Sequence, residues 1–172
     1  MEMVIIKMEN EEKKRESFLV RFIKELIPYV VMLIVVILIR TYIVTPIMVN
    51  GGSMLPTLSG GEIMLLKKYG DIKRFDVVVV NTGNDEIIKR VIAMPGESIA
   101  CENGIIYVNG YKQEEEYSEG ITSDFSKVVL KDNEYFVMGD NREESMDSRH
   151  IGPIKKDFIK GTTSLVLFPF AS

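Results

Sequence analysis

Apolar positions fall into two regimes along the chain. From Leu26 to Ile39 the sequence reads LIPYVVMLIVVILI without a charge, and after Arg40 and Thr41 it resumes with Tyr42, Ile43 and Val44. The first stretch alone is short of the ~20 residues a membrane span needs, but counting through Val44 reaches that length, with Arg40 near the end where a long cationic side chain can snorkel. From Thr45 onward the pattern breaks into short apolar runs punctuated by Gly, Pro and Asn. Strands are predicted at Pro46–Val49, Glu62–Leu66, Phe75–Val80, Ile87–Met94 and Tyr135–Met138, with a last one at Ser164–Phe168. A further hairpin is predicted over Ile99–Val108, turning at Glu102-Asn103-Gly104. Phe75–Val80 is nearly all apolar and reads as a strand covered on both faces. Gln113–Lys127 has no clean period and reads as a loop. The fold class is therefore mainly β: an N-terminal transmembrane helix followed by an all-β domain of folded antiparallel sheets.

The long apolar segment admits three readings. A core helix of a soluble domain is amphipathic, whereas this one is apolar all round. A cleaved signal needs small residues in an A-x-A-like site after the run, but the first alanine is Ala93. An uncleaved anchor fits best. Pro28 falls in its first turn, and Tyr29 and Tyr42 sit near its ends as interfacial aromatics do. Lys13, Lys14, Arg15, Arg21 and Lys24 precede the span, and only Arg40 follows closely. The positive-inside rule then gives residues 1–25 as a cytoplasmic segment, 26–44 as the anchor and 45–172 as an extracytoplasmic domain in contact with membrane lipid.

Composition narrows the chemistry. With 21 basic and 25 acidic residues the net charge is −4, which argues against a nucleic-acid binder. One cysteine and one histidine exclude an intramolecular disulfide, a cysteine zinc cage and a histidine cluster, so neither a metal nor any other cofactor is expected. Cys101, inside a hairpin strand, reads as a small buried apolar residue, and His150 is assigned no role.

Three segments remain. Ser53 follows Gly51 and Gly52, which allow close backbone approach, and Pro56 stiffens the residues after it. In Ile87–Ala93, alternation puts Ile87, Lys89, Val91 and Ala93 on one face and Ile88, Arg90 and Ile92 on the other, so one of two adjacent cations points inward. A buried lysine loses its proton more readily, and a neutral amine can take the proton of a serine hydroxyl. The third segment, Gly139–Arg149, packs hydroxyls, acids and arginines able to orient a buried amine, or else forms a solvated loop of weak ion pairs.

The words NGGSMLPTL, FDVVVVN, IIKRVIAMPGE and GDNREESMDSRHIGPI, in that order and behind an anchor, resemble the type I signal peptidases, in the short form of Gram-positive bacteria. The resemblance implies a membrane-anchored serine endopeptidase that removes signal peptides from secretory preproteins, cutting after small residues. It implies Ser53 as nucleophile, Lys89 as general base, Ser145 as the hydroxyl that bonds the lysine amine, and Asp147 with Arg149 as a bracing acid–base pair. Asp140, Asn141 and Arg142 match the start of the same box in a structural role. Some relatives carry a serine two residues before the nucleophile that serves the oxyanion hole. Here the position is Gly51, leaving backbone N–H groups, chiefly that of Ser53. Two other readings stand beside this one: a specialised Ser-Lys maturation peptidase or self-cleaving repressor of related fold, and a catalytically inactive anchored β-domain that binds proteins.

Overall fold

The computed structural model describes residues 2–42, 44–83 and 85–168. Helix α1 (Glu2–Tyr42) lies in one compact unit, and residues 43–172 form the other. Every side chain from Leu26 to Leu38 is exposed, so the helix presents an apolar surface on all sides. Among the described residues no helix is long and apolar enough to cross a membrane. Ile43, counted into the span from sequence, lies outside the described residues. The helix ends at Tyr42, and Val44 already starts the first strand.

The second unit is built from two antiparallel sheets. The larger has seven strands: β1 (Val44–Met48), β2 (Ile63–Lys67), β3 (Val77–Asn81), β4 (Glu86–Ala93), β9 (Glu134–Met138), β10 (Ile154–Lys155) and β11 (Ile159–Phe168). Their spatial order is β1-β2-β11-β3-β4-β9-β10. The smaller sheet comprises β5 (Ser98–Glu102), β6 (Ile105–Val108), β7 (Tyr111–Lys112) and β8 (Phe125–Val129), in the order β7-β6-β5-β8. A short helix α2 (Ser148–Ile151) follows β9.

The four valines of β3 are all buried, Val77 and Val79 on one side of the sheet and Val78 and Val80 on the other. A continuous β-branched run thus marks a central strand covered on both faces, here within an antiparallel sheet. Each fully buried valine contributes roughly 1.5–3 kcal/mol. A third cluster joins the two sheets: Ile92, Ala93, Phe136 and Met138 from β4 and β9 meet Ile99, Cys101, Ile106 and Val108 from the hairpin β5–β6. Cys101 is the small apolar residue expected, and burial pushes its thiol up to about 11.

Two sequence expectations are corrected here. The segment read as a loop through Lys127 contains the start of β8, which pairs with β5. Its adjacent exposed Ser126 and Lys127 break the apolar pattern because β8 is an edge strand that bulges between Phe125 and Val128, two residues there facing one of β5. In β4 the strict alternation stops at Ile92, where a bulge against β9 turns both Ile92 and Ala93 into the inter-sheet core while Val91 stays with Val78 and Val80.

Candidate active site

Ser53 stands on a turn whose base is clamped to the sheet. The Val49 N–H donates to the Glu62 carbonyl (2.8 Å), and the Gly61 N–H donates to the Val49 carbonyl (2.9 Å). Beyond the serine, Leu58 N–H reaches Met54 O at 2.8 Å, and both side chains are buried in the core. Met54, the residue next to Ser53, is therefore a plug that fixes the height of the serine. The Ser53 carbonyl accepts from Asn141 N–H (3.1 Å), tying the turn to the segment after β9. Gly139 makes this approach possible. A Cβ there would lie 2.5 Å from the Ser53 carbonyl oxygen and would overlap the Ser145 hydroxyl. Gly51 holds φ +79° with open space around it, a conformation a serine would adopt only with strain.

Lys89 is the inward cation of the pair on β4. Its side chain is only 3% exposed, and its Nζ donates to Ser53 Oγ at 2.6 Å. Burial is the largest influence on the amine and lowers its pKa from the ordinary 10.5. Asp147 pulls it back up, Arg149 lowers it again and Asp140 raises it, and the net direction is down.

Arg90, the next residue, is handled differently. Its guanidinium grips Asp140 with Nε to Oδ1 at 2.9 Å and Nη2 to Oδ2 at 2.5 Å, donates to the Phe75 carbonyl, and lies 4.3 Å over the Tyr117 ring. Asp140, fully buried, also accepts from the Thr57 hydroxyl at 2.5 Å. This bridge links the lysine strand to the serine turn. Sequence reasoning missed it, because its members lie 50 and 83 positions apart.

Ser145, Asp147 and Arg149 form one hydrogen-bonded cluster, and Asp147 and Arg149 act on the Lys89 amine, but the bond from Ser145 to that amine implied by the resemblance is not made. The Ser145 hydroxyl donates to Asp147 Oδ2 (2.7 Å) and accepts from Gly139 N–H (3.1 Å), while the Lys89 amine is directed to Ser53. Asp147 is the hub. Its carboxylate accepts from Gly139 N–H, from two nitrogens of the Arg149 side chain at 2.9 Å each, and from the Arg149 N–H as cap of α2. Burial alone pushes the Asp147 carboxyl up, but the bonds from Arg149, Ser145 and Gly139 together outweigh it and hold it below the usual carboxylate range. Arg142 is likewise buried and paired, to Glu115 through both terminal nitrogens and to the Thr122 hydroxyl. Its partner lies in a segment read from sequence as a featureless loop. His150 is exposed on α2.

The serine and lysine close one end of a cleft of about 710 Å³. Residues of β1, β2, β3, β4 and β11 line it, so it is the hollow of one half of the seven-stranded sheet. Its two flanks are strand edges of the sheet. β1 is terminal in the sheet, and β9 pairs with β4 only from Arg90 onward, so that among the described residues one edge of Glu86–Lys89 has no ladder partner. Such edges accept an added strand. The Ser53 N–H has no acceptor among the described residues.

Comparison with known proteins agrees with this geometry. Residues 19–168 match the family model described as signal peptidase, peptidase S26. The chain is 38% identical to signal peptidase I of Bacillus amyloliquefaciens over 96% of each chain, and 37% identical to signal peptidase I S of Bacillus subtilis, again over 96% of each. Among solved structures, a signal peptidase I from Enterococcus faecalis superposes with a TM-score of 0.50 at 28% identity, covering 55% of this chain and 98% of that one. With the match spanning both sheets and every segment that builds the site, the chain belongs to the signal peptidase family, peptidase S26.

Proposed function

We propose that this chain is a membrane-anchored serine endopeptidase that removes N-terminal signal peptides from secretory preproteins, with Ser53 as nucleophile and Lys89 as general base. The observation that carries the assignment of roles is the 2.6 Å contact between a buried lysine amine and a serine hydroxyl at the end of a cleft flanked by strand edges. The preprotein segment before the cut lies in the cleft as an added strand between β1 and the edge of β4. Burial favours the neutral amine, and in that form the Lys89–Ser53 line carries the hydroxyl proton to nitrogen. Oγ attacks the scissile carbonyl, and the Ser53 N–H faces the resulting oxyanion. The protonated amine gives its proton to the leaving amine, leaving an acyl-enzyme. Water then attacks the ester with Lys89 again as base, releasing the signal peptide and restoring both side chains.

Asp147, Arg149 and Ser145 position the base: they fix Gly139 against the Ser53 carbonyl and set the field at the amine. The helical stretch from Leu26 to Tyr42 is the membrane anchor, with 1–25 cytoplasmic and the β-domain extracytoplasmic. The all-round apolar surface from Leu26 to Leu38 supports this reading, as does the crowding of Lys and Arg before it against only Arg40 close after. Holding enzyme and substrate in one bilayer raises their effective concentration.

The test is cleavage of a purified signal-bearing preprotein in detergent–lipid micelles, with Ser53→Ala alongside and product masses recorded. A single cut after a small residue at the end of the signal, absent in the variant, is expected. A cut that survives in Ser53→Ala removes the assignment.

A further inference from the structure

Three asparagines of the chain stand directly before a glycine: Asn50, Asn103 and Asn109. In such a pair the glycine nitrogen can attack the asparagine side-chain carbonyl, because no Cβ shields it. The fold treats the three pairs differently. At Asn103 the attacking nitrogen is occupied: the Gly104 N–H donates to Asp124 Oδ1 (2.9 Å), and the same carboxylate accepts from the Asn103 N–H at 3.0 Å. At Asn109 the carboxamide is occupied: its Oδ1 accepts from the Ser98 N–H at 2.8 Å, and its Nδ2 donates to Glu97 at 3.5 Å. At Asn50 neither group is engaged, since among the described residues the Asn50 carboxamide and the Gly51 N–H make no hydrogen bond. Asn50 and Gly51 are both exposed. Gly60 keeps the approach to the Gly51 nitrogen open, because a Cβ at residue 60 would lie 3.6 Å from it.

The unguarded pair is the one beside the dyad. Asn50 lines the cleft together with Ser53 and Lys89. It belongs to a short stretch between two fixed points: Val49 is held through both its N–H and its carbonyl, and the Ser53 carbonyl is held by the Asn141 N–H. A change in the length of the backbone between those points moves the serine. The 2.6 Å contact from Lys89 Nζ to Ser53 Oγ leaves little room for such a movement.

We propose that Asn50 is a site of spontaneous deamidation that switches off the dyad as the protein ages. The Gly51 nitrogen gives up its proton to solvent and forms a bond to Asn50 Cγ, while the bond from Cγ to Nδ2 breaks and ammonia leaves. Water then opens the cyclic imide. Opening at Cγ breaks the new bond to nitrogen and leaves aspartate. Opening at the main-chain carbonyl breaks the original peptide bond and leaves isoaspartate, whose main chain runs through Cβ and Cγ and is longer by that added carbon. Water is consumed and ammonia released, and nothing is oxidised or reduced. The longer backbone carries Ser53 away from Lys89, and either product sets a carboxylate in the cleft, which favours the charged form of the amine. The loss of activity rests on the peptidase reading above, whereas the modification itself does not.

The experiment ages the purified full-length enzyme in lipid micelles at mildly alkaline pH, which favours loss of the amide proton. Samples are taken over time for preprotein cleavage and for peptide mapping by mass spectrometry, with fragmentation that separates aspartate from isoaspartate. Asn50 is expected to convert about two- to tenfold faster than Asn103 or Asn109, the ratio that breaking one ordinary hydrogen bond first corresponds to. Cleavage is expected to decline in step with isoaspartate at residue 50. Asn50→Gln, whose longer side chain closes a ring far more slowly, is expected to keep its own starting activity through the same ageing. Thermal melting at each time separates the local change from unfolding. Conversion at Asn103 or Asn109 as fast as at Asn50 overturns the proposal, and so does cleavage that stays constant while isoaspartate accumulates at residue 50. An Asn50→Gln variant that loses activity as fast as the wild type overturns it as well. Fresh enzyme that cuts no preprotein overturns the peptidase reading instead, and the mass comparison of the three asparagines still decides the modification.

Discussion

Lys89 and Arg90 are neighbours on one strand, both taken largely out of water, and their surroundings give them opposite fates. Arg90 finds a fully buried carboxylate, Asp140, and holds it in a two-point grip. Lys89 finds a neutral hydroxyl, and its carboxylate neighbours act only at a distance. Burial therefore wins at Lys89 and lowers its pKa, although Asp147 and Asp140 oppose it. A buried cation with a carboxylate partner is a strut, whereas one with only a hydroxyl partner suits the base role proposed for Lys89. The arginines 142 and 149 follow the first pattern, each joined to its own acid.

The largest break in this comparison is to make Lys89 behave like its neighbour. Lys89→Arg places a group that does not deprotonate against Ser53. Preprotein cleavage should fall by at least about a thousandfold in kcat, as expected when a member of a nucleophile–base unit is lost. Activity within tenfold of wild type would show that no neutral amine is needed. Next in size is the strut. Asp140→Ala leaves the Arg90 guanidinium buried without its acid and frees the Thr57 hydroxyl, and should cost about 3–5 kcal/mol in urea unfolding of the chain. A cost below about 1 kcal/mol would mean that the bridge between strand and serine turn contributes little to holding the fold together.

The smallest effects are shifts of the pH profile, and their signs are fixed by the neighbours. The base form of Lys89 exists above its pKa, so kcat/KM falls as the pH drops through that lowered value. Asp147 raises the amine pKa, so Asp147→Asn should move the acid limb to lower pH in the activity that remains. Arg149 lowers it, so Arg149→Gln should move the limb to higher pH. Shifts in the same direction for both variants would mean that their influence on Lys89 is not electrostatic.

Much of this contrast is legible in the sequence. A glycine-flanked serine and a cation in an apolar strand run are local signals, and the fold brings the two side chains together. The features that escaped the sequence are long-range or depend on irregular backbone. The Arg90–Asp140–Thr57 bridge spans the chain. The bulge at Ile92 defeats period-two reasoning for Ala93, and that at Lys160 turns a lysine of the last strand into the cleft. The Glu115–Arg142 pair sits in a segment whose charges look like a solvated loop. The Ser145 hydroxyl is spent on Asp147 and Gly139, a choice set by the close packing at Gly139 that no spacing rule encodes.

The central claim is that burial lowers the pKa of Lys89 and that its neutral form is the reacting base. The most direct test follows the Lys89 side chain by NMR in the full-length protein in micelles, assigning its Cε and Nζ signals by difference from Lys89→Arg and titrating them alongside kcat/KM. The account expects a midpoint below the ordinary lysine value of 10.5, coincident with the acid limb of the rate profile. A midpoint at or above that value, or a limb that does not track it, would contradict the account.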